Sequence, residues 1–197
     1  MSAHFAGEPH KFSAIAPEQF KQGMRRLAAG VTIITTAVDG APRGLTATAV
    51  CSLSADPPQL LVCVKRTAGA HDAIARSRRF CVNVLAHGHH NLAARFAGHD
   101  GVRGAARFRA GRWVALKTGA PALTGALASF DCVVSEQVAA TTHTIFIGRV
   151  VAMCVRHKAK PLLYASGGYA GVQALARALK KRQHRLAVGS RPRAKAG

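Results

Sequence analysis

Three groups of residues in this chain have the types and spacing to do chemistry. The first is G-L-T-A-T-A-V-C-S-L-S, Gly44 to Ser54, where short hydroxyl side chains (Thr46, Thr48, Ser52, Ser54) are interleaved with small or apolar ones. An extended segment of this kind can bury one face and leave the other lined with hydroxyls and approachable backbone. The second is Lys65-Arg66-Thr67, where the apolar run Gln59 to Val64 ends abruptly in two cations and a hydroxyl. Free amides at a strand-to-helix turn, with cations beside them, suit a phosphate. Together these groups describe a site for a flat, polar-edged ligand that carries a phosphate. The third is His143, in T-H-T-I-F-I-G-R-V. A neutral imidazole at a strand start can stack or hydrogen-bond without adding a fixed charge, although a histidine there is also a common polar strand end.

Other chemistries find no support. The cysteines Cys51, Cys63, Cys81, Cys132 and Cys154 form no C-x-x-C pair, and each sits in or beside an apolar run. They are expected to be buried free thiols, and no metal site is expected. His87, His89 and His90 fit a polar turn before a helix. The chain has no G-x-G-x-x-G after its first strand and no G-x-x-x-x-G-K, so neither a Rossmann nor a P-loop site is supported.

The elements that must position these residues follow from periodicity. Phe20, Met24 and Leu27 recur at helical spacing, and Pro17 and Gly30 bracket a helix over Pro17 to Ala29. Val31 to Val38 is rich in β-branched residues and reads as a strand, turned at Asp39-Gly40 into the Gly44 segment. Pro57-Pro58 breaks that segment, and Gln59 to Val64 follows as a strand. Thr67 is the expected N-cap of a helix over Ala68 to Arg76. Next come a strand from Arg79 to Leu85 and a helix from Asn91 to Gly98. A basic loop over Gly101 to Gly111 precedes a short apolar run from Trp113 to Leu116. A long strand is expected over Leu123 to Val138, bent at Gly125, then strands over Thr142 to Val155 and Pro161 to Tyr164. A helix from Val172 to Arg185 leads into a basic tail. At least six strands with antiparallel neighbours and peripheral helices favour a closed barrel.

Size and charge bound the rest. The chain has 197 residues, 28 Lys+Arg against 8 Asp+Glu, and a formal net charge of +20. Its 49% hydrophobic content marks a globular chain. Much of the excess charge lies in Arg177 to Lys195, which reads as a solvated arm; it lacks the aromatic interleaving of single-strand binding. The expected organisation is an extension over 1–16, one domain over 17–171 and a helix with basic tail over 172–197. With neither a signal segment nor a membrane-length apolar run, the expectation is cytoplasmic.

Six segments, in order, then carry a resemblance. They are F-x-x-x-M-R-R-L-A-A-G-V-T-I-I-T-T (Phe20 to Thr36), G-L-T-A-T-A-V-C-S-L-S-x-D-P-P (Gly44 to Pro58), F-C-V-N-V-L (Phe80 to Leu85), A-x-R-F-A-G (Ala93 to Gly98), T-H-T-I-F-I-G-R-V (Thr142 to Val150) and P-L-L-Y-x-x-G-x-Y (Pro161 to Tyr169). Over Phe20 to Tyr169 the chain resembles the short-chain flavin reductases, the reductase components of two-component flavin-dependent monooxygenases. The resemblance implies a mostly β fold with peripheral helices, an FMN-binding split barrel of antiparallel Greek-key type, and a homodimer. It also implies hydride transfer from NADH or NADPH to FMN, or alternatively FAD, with release of reduced flavin to a transient oxygenase partner.

The resemblance also assigns residues. Thr46, Ala47, Thr48, Ala49 and Val50 would lie along the flavin ring, with Thr35 nearby. Ser52, Lys65, Arg66 and Thr67 would reach the phosphate. Phe96 and Gly98 would flank the flavin, Tyr169 of the terminal G-x-Y pattern would be a further cofactor-binding or a structural residue, and His143 would contact the nicotinamide nucleotide. No acid–base residue is implied beyond positioning. Lys65-Arg66 stands where many relatives carry an uncharged pair, which leaves FMN against FAD open, and Gly168 stands where relatives carry a bulky or basic residue. Two alternatives remain at this point: a split-barrel oxidase with tightly held flavin, and a basic nucleic-acid-binding module.

Overall fold

The computed structural model describes residues 13–156 and 159–172. In chain order the elements are α1 (Pro17–Met24), β1 (Ala29–Gly30), β2 (Thr32–Val38), β3 (Ala41–Ala47), β4 (Val50–Ala55), β5 (Pro58–Lys65), α2 (His71–Ser77), β6 (Arg79–Val84), α3 (His90–Ala97), β7 (Trp113–Ala115), β8 (Pro121–Leu123), β9 (Ala128–Ala140), β10 (His143–Val155), β11 (Leu162–Ala165) and β12 (Gly168–Gly171). The helix and tail expected beyond Val172 lie outside the described residues, as does most of the N-terminal extension.

Seven strands form one antiparallel sheet in the order β3-β2-β6-β9-β10-β5-β4. Its two edge strands, β3 and β4, are consecutive in the chain and separated only by Thr48 and Ala49. The sheet therefore curls until its edges approach, yet those edges do not pair. This is the split barrel, and it corrects the closed barrel that strand counting alone suggests. The seam between β3 and β4 is also a correction to the single Gly44–Ser54 segment: the polar–apolar interleaving runs on through Thr48 and Ala49, but the strand does not.

Strand β2 carries the logic of the core. Ile34 points into the barrel with Val62, Phe80 and Phe146, while Ile33 joins Leu85, Leu92, Phe96 and Leu162 in a second cluster that α3 helps to form. Each such side chain contributes about 1.5–3 kcal/mol on full burial. With both faces of β2 covered, its threonines must find partners inside. Thr32 Oγ1 donates to Ala47 O at 2.7 Å, and Thr36 Oγ1 to Arg79 O at 2.8 Å.

Other departures from the sequence expectations have local causes. Helix α1 stops at Met24 because the next turn tightens, with Arg26 N donating to Gly23 O and Leu27 N to Met24 O. Ala29–Gly30 is then recruited as β1 by β11. Phe20, Met24 and Leu27 remain exposed rather than entering the core. Helix α2 begins at His71 after Ala70, so Thr67 caps nothing and stands exposed in the preceding turn. The expected strand from Leu123 is two strands, parted by a turn in which Gly125 takes φ +93°. The basic loop contains a 3-10 turn over Gly104–Arg109. There Arg107 Nε donates to Val102 O at 2.8 Å and Nη1 to Phe96 O at 3.1 Å.

Candidate functional site

A groove of about 340 Å³ lies along the seam. That is the lower end of the ~300–1,000 Å³ typical of ligand and cofactor sites. One wall is the end of β3 (Leu45, Thr46, Ala47) with Ala97 and His99 at the foot of α3. The other is β5 and β10, contributing Cys63, Lys65 and His143. Thr48 and Ala49 cross between them, and Tyr164 and Tyr169 stand at the margin.

Each wall has a physical reason. Thr46 Oγ1 donates to Ala93 O at 2.7 Å, fastening β3 to α3. Gly44 permits that approach, since a Cβ there would come within 2.8 Å of Phe96 Cε1. At the seam the chain leaves the β2 ladder after Ala47, while Ala49 O still accepts from Cys63 N of β5 at 3.0 Å. Among the described residues the amides of Thr48 and Ala49 donate to no protein acceptor, and both residues are exposed. These are two adjacent, unspent N–H donors. Lys65 stands opposite His143 in the β5–β10 register, and Arg66 N donates to Thr142 O at 3.0 Å, so the basic turn and the imidazole share one frame. Thr142 Oγ1 lies 2.9 Å from His143 Nδ1. Tyr169 packs edge-on against Tyr164, ring centroids 5.7 Å apart. Burial, and secondarily Tyr164, raise the Tyr169 hydroxyl above its usual value, leaving it a neutral hydrogen-bonding group.

The structure thus brings together Thr46, Ala47, Thr48, Ala49, Lys65, His143 and Tyr169 of the expected residues. Arg66 and Thr67 follow in the same exposed turn. Others lie elsewhere. Thr35 is fully buried, its Oγ1 donating to Cys81 O and to Pro121 O, so it is a core residue rather than a groove residue. Phe96 is also core, edge-on to Phe108 at 5.0 Å and tilted on Trp113 at 5.5 Å. Gly98 acts on the backbone, ending α3 at φ +91° and so presenting His99. Val50 packs against the barrel core, and Ser52 opens onto a separate hollow with Leu60, Phe130 and Val150. His99 and Cys63 belong to the groove but were not singled out. For His99 the available signal was its place just after a helix-ending glycine.

Among the described residues the groove's lining includes no carboxylate, and its ionisable side chains include Lys65, His99 and His143. Free amides over a narrow polar ribbon fit the edge of a flat heteroaromatic ring, and the Lys65–Thr67 turn fits an anionic tail. Residues 24–173 match the family of flavin reductase like domains. The chain belongs to the flavin reductase-like family. Among its relatives, an FMN reductase (NADH) RutF of Methylorubrum populi is 43% identical over 150 residues, which is 76% of this chain and 73% of that one. The RutF of Stutzerimonas stutzeri is 40% identical over 163 residues, 82% of this chain and 92% of that one. Flavin reductase folds of known structure agree. BorF, the flavin reductase component of a bacterial two-component tryptophan halogenase, superimposes with TM-score 0.74 at 32% identity, covering 81% of this chain and 99% of that one. The NADH:FAD oxidoreductase SgcE6 of Streptomyces globisporus, in complex with NAD and FAD fragments, gives TM-score 0.75 at 28% identity, covering 84% and 99%.

Proposed function

We propose that this chain is an NAD(P)H-dependent flavin reductase, using FMN (or FAD) and NADH, that hands reduced flavin to a partner monooxygenase. The observation that carries it is the seam itself: unpaired amides at Thr48 and Ala49, flanked by Lys65 and His143, in a family whose relatives are named FMN reductases (NADH).

When bound, the flavin accepts hydride from the nicotinamide. The chain's own residues do the rest. Thr48 and Ala49 offer backbone donors to the polar edge of the ring, where fixed dipoles favour the added negative charge. Small side chains at Ala47 and Ala49 let the backbone approach. Lys65, Arg66 and Thr67 hold the phosphate. His143 orients the nicotinamide, and Tyr164 and Tyr169 narrow the mouth and exclude water. Positioning, rather than proton transfer from a side chain, supplies the rate. A ligand held by backbone and a surface turn can exchange, which a diffusible carrier requires.

Exposed Leu53 on β4 and Met153 and Val155 on β10 support a homodimer through the sheet surface. The free cysteines fit a reducing, cytoplasmic compartment. No helix among the described residues is long and apolar enough to cross a membrane. The deciding experiment is NADH and NADPH oxidation with FMN, FAD and riboflavin. A rate at background with all three flavins overturns the assignment.

A further inference from the structure

His71 closes the turn that follows β5. Its Nε2 lies 2.8 Å from Thr144 Oγ1, and its Nδ1 lies 2.8 Å from Asp72 Oδ1. A carboxylate only accepts, so Nδ1 carries the proton, and in the neutral ring Nε2 accepts from the Thr144 hydroxyl. The two contacts are unequal. The Asp72 side chain is 90% exposed, and that contact is worth little in water. Thr144 is buried, and the His71 side chain is only 13% exposed, its ring centroid 5.6 Å from that of Phe146. The bond to Thr144 therefore sets where the imidazole sits.

That bond has a counterpart at the other end of the same turn, where Arg66 N donates to Thr142 O at 3.0 Å. Between the two anchors the chain folds on itself, with Ala68 N donating to Lys65 O and His71 N to Ala68 O, each at 2.9 Å. The turn that carries Lys65, Arg66 and Thr67 is thus tied to Thr142 and Thr144, the residues on either side of His143. Thr142 also meets the imidazole between them, its Oγ1 2.9 Å from His143 Nδ1. Successive side chains project from opposite faces of a strand, so Thr144 faces His71 and the core while His143 faces the groove. A shift of the turn must move the backbone that carries His143.

We propose that His71, through Thr144, is a positioning residue that couples the basic turn to His143, so that a phosphate held by the turn improves the grip on the nicotinamide nucleotide. The coupling rests on the flavin reductase reading of the groove. Riboflavin has no phosphate, cannot engage the turn and gains nothing from it. By reciprocity, the nicotinamide nucleotide tightens FMN by the same factor.

The test is fluorescence titration of FMN and of riboflavin into the full chain, each with and without saturating NAD+, which does not react with oxidised flavin. NAD+ is expected to tighten FMN about fivefold, the lower end of typical coupling, and to leave riboflavin unchanged. His71→Phe keeps a ring against Phe146 but removes the bond, and Thr144→Val removes the hydroxyl at nearly constant shape. Both are expected to abolish the increment. His71→Gln, whose amide reaches to where Nε2 stands, and Thr144→Ser are expected to retain it. Circular dichroism verifies each fold, and if one variant fails to fold its partner decides. Equal tightening of FMN and riboflavin overturns the coupling on the unmodified chain alone. So does an increment that survives in His71→Phe or in Thr144→Val. Loss of the increment in both conservative variants as well makes His71 and Thr144 mere packing residues and also overturns it. NADH oxidation at background with every flavin sinks the reductase reading and the coupling together, whereas a chain that reduces FMN but shows no increment loses the coupling alone.

Discussion

Lys65 and His143 are direct cross-strand partners in the β5–β10 ladder, and both line the groove. One carries an ammonium group and the other an imidazole, and their neighbouring strands hold both in one frame. Their contributions are nonetheless separable. Lys65→Ala is expected to weaken FMN about tenfold, or ~1.4 kcal/mol, while leaving riboflavin unchanged, because only FMN carries the phosphate. His143→Ala is expected to raise KM for NADH with little effect on FMN affinity. Flavin titration by fluorescence and steady-state kinetics check both. Equal weakening of FMN and riboflavin by Lys65→Ala would refute the phosphate role.

Gly148 makes the barrel interior possible. A Cβ at that position would meet Phe80 Cζ at 2.5 Å and Cys132 Cβ at 2.9 Å. Gly148→Ala is therefore expected to destabilise by about 1–3 kcal/mol through overpacking. Urea unfolding measures this, and Phe80→Leu in the same background should recover part of the loss.

Asn83 is the buried polar hub of the outer layer. Its Oδ1 accepts from Leu123 N at 2.7 Å and Ser129 Oγ at 2.8 Å, and its Nδ2 donates to Ile33 O at 3.1 Å. One side chain thus ties β2, β6, β8 and β9. Asn83→Ala strands these groups without partners and should cost about 3 kcal/mol, seen as a lowered denaturation midpoint.

The buried thiols set an alkaline limit. Burial, and secondarily Asp131, push Cys132 from its ordinary 9.0 up to about 12, and burial also raises Cys81 strongly. Below the ordinary value both states keep the proton and stability is unaffected. Above it the unfolded chain releases protons that the folded chain retains, so stability falls as pH climbs from about 9 toward 12. Unfolding at stepped pH checks the sign. A thiol reagent at pH 8 should label the exposed Cys51 and Cys154 readily, and Cys81 and Cys132 only in denaturant.

Local chemistry made much of the fold legible. Asp39 and Gly40 both take positive φ, as the Asp-Gly hairpin signal requires, and Pro57-Pro58 marks the β4–β5 turn. Five of the seven sheet strands, β2, β5, β6, β9 and β10, are visible as β-branched or apolar runs, whereas β3 and β4 read as one segment. What local pattern does not carry is decided by distant neighbours. Nothing in T-A-T-A-V announces that the ladder stops at Thr48. Thr35 reads like its surface-competent neighbours until β8 covers it. Phe96 is placed by Phe108 and Trp113, both beyond its helix. Likewise the apolar spacing of α1 announces a core helix, yet its described neighbours leave it exposed. The main groove was recoverable in large part because its residues cluster at a strand end and a turn. His99 was missed because its role depends on where Gly98 aims the chain.

Unpaired strand amides are ordinarily a hazard, since they invite a strand from another molecule and so seed aggregates. Here the chain breaks at Thr48 and Ala49, so the outer edges of β3 and β4 do not form one continuous row. An interrupted edge offers a neighbouring chain a shorter template than an unbroken one. The break that opens the groove thus also shortens the edge left open to a second strand.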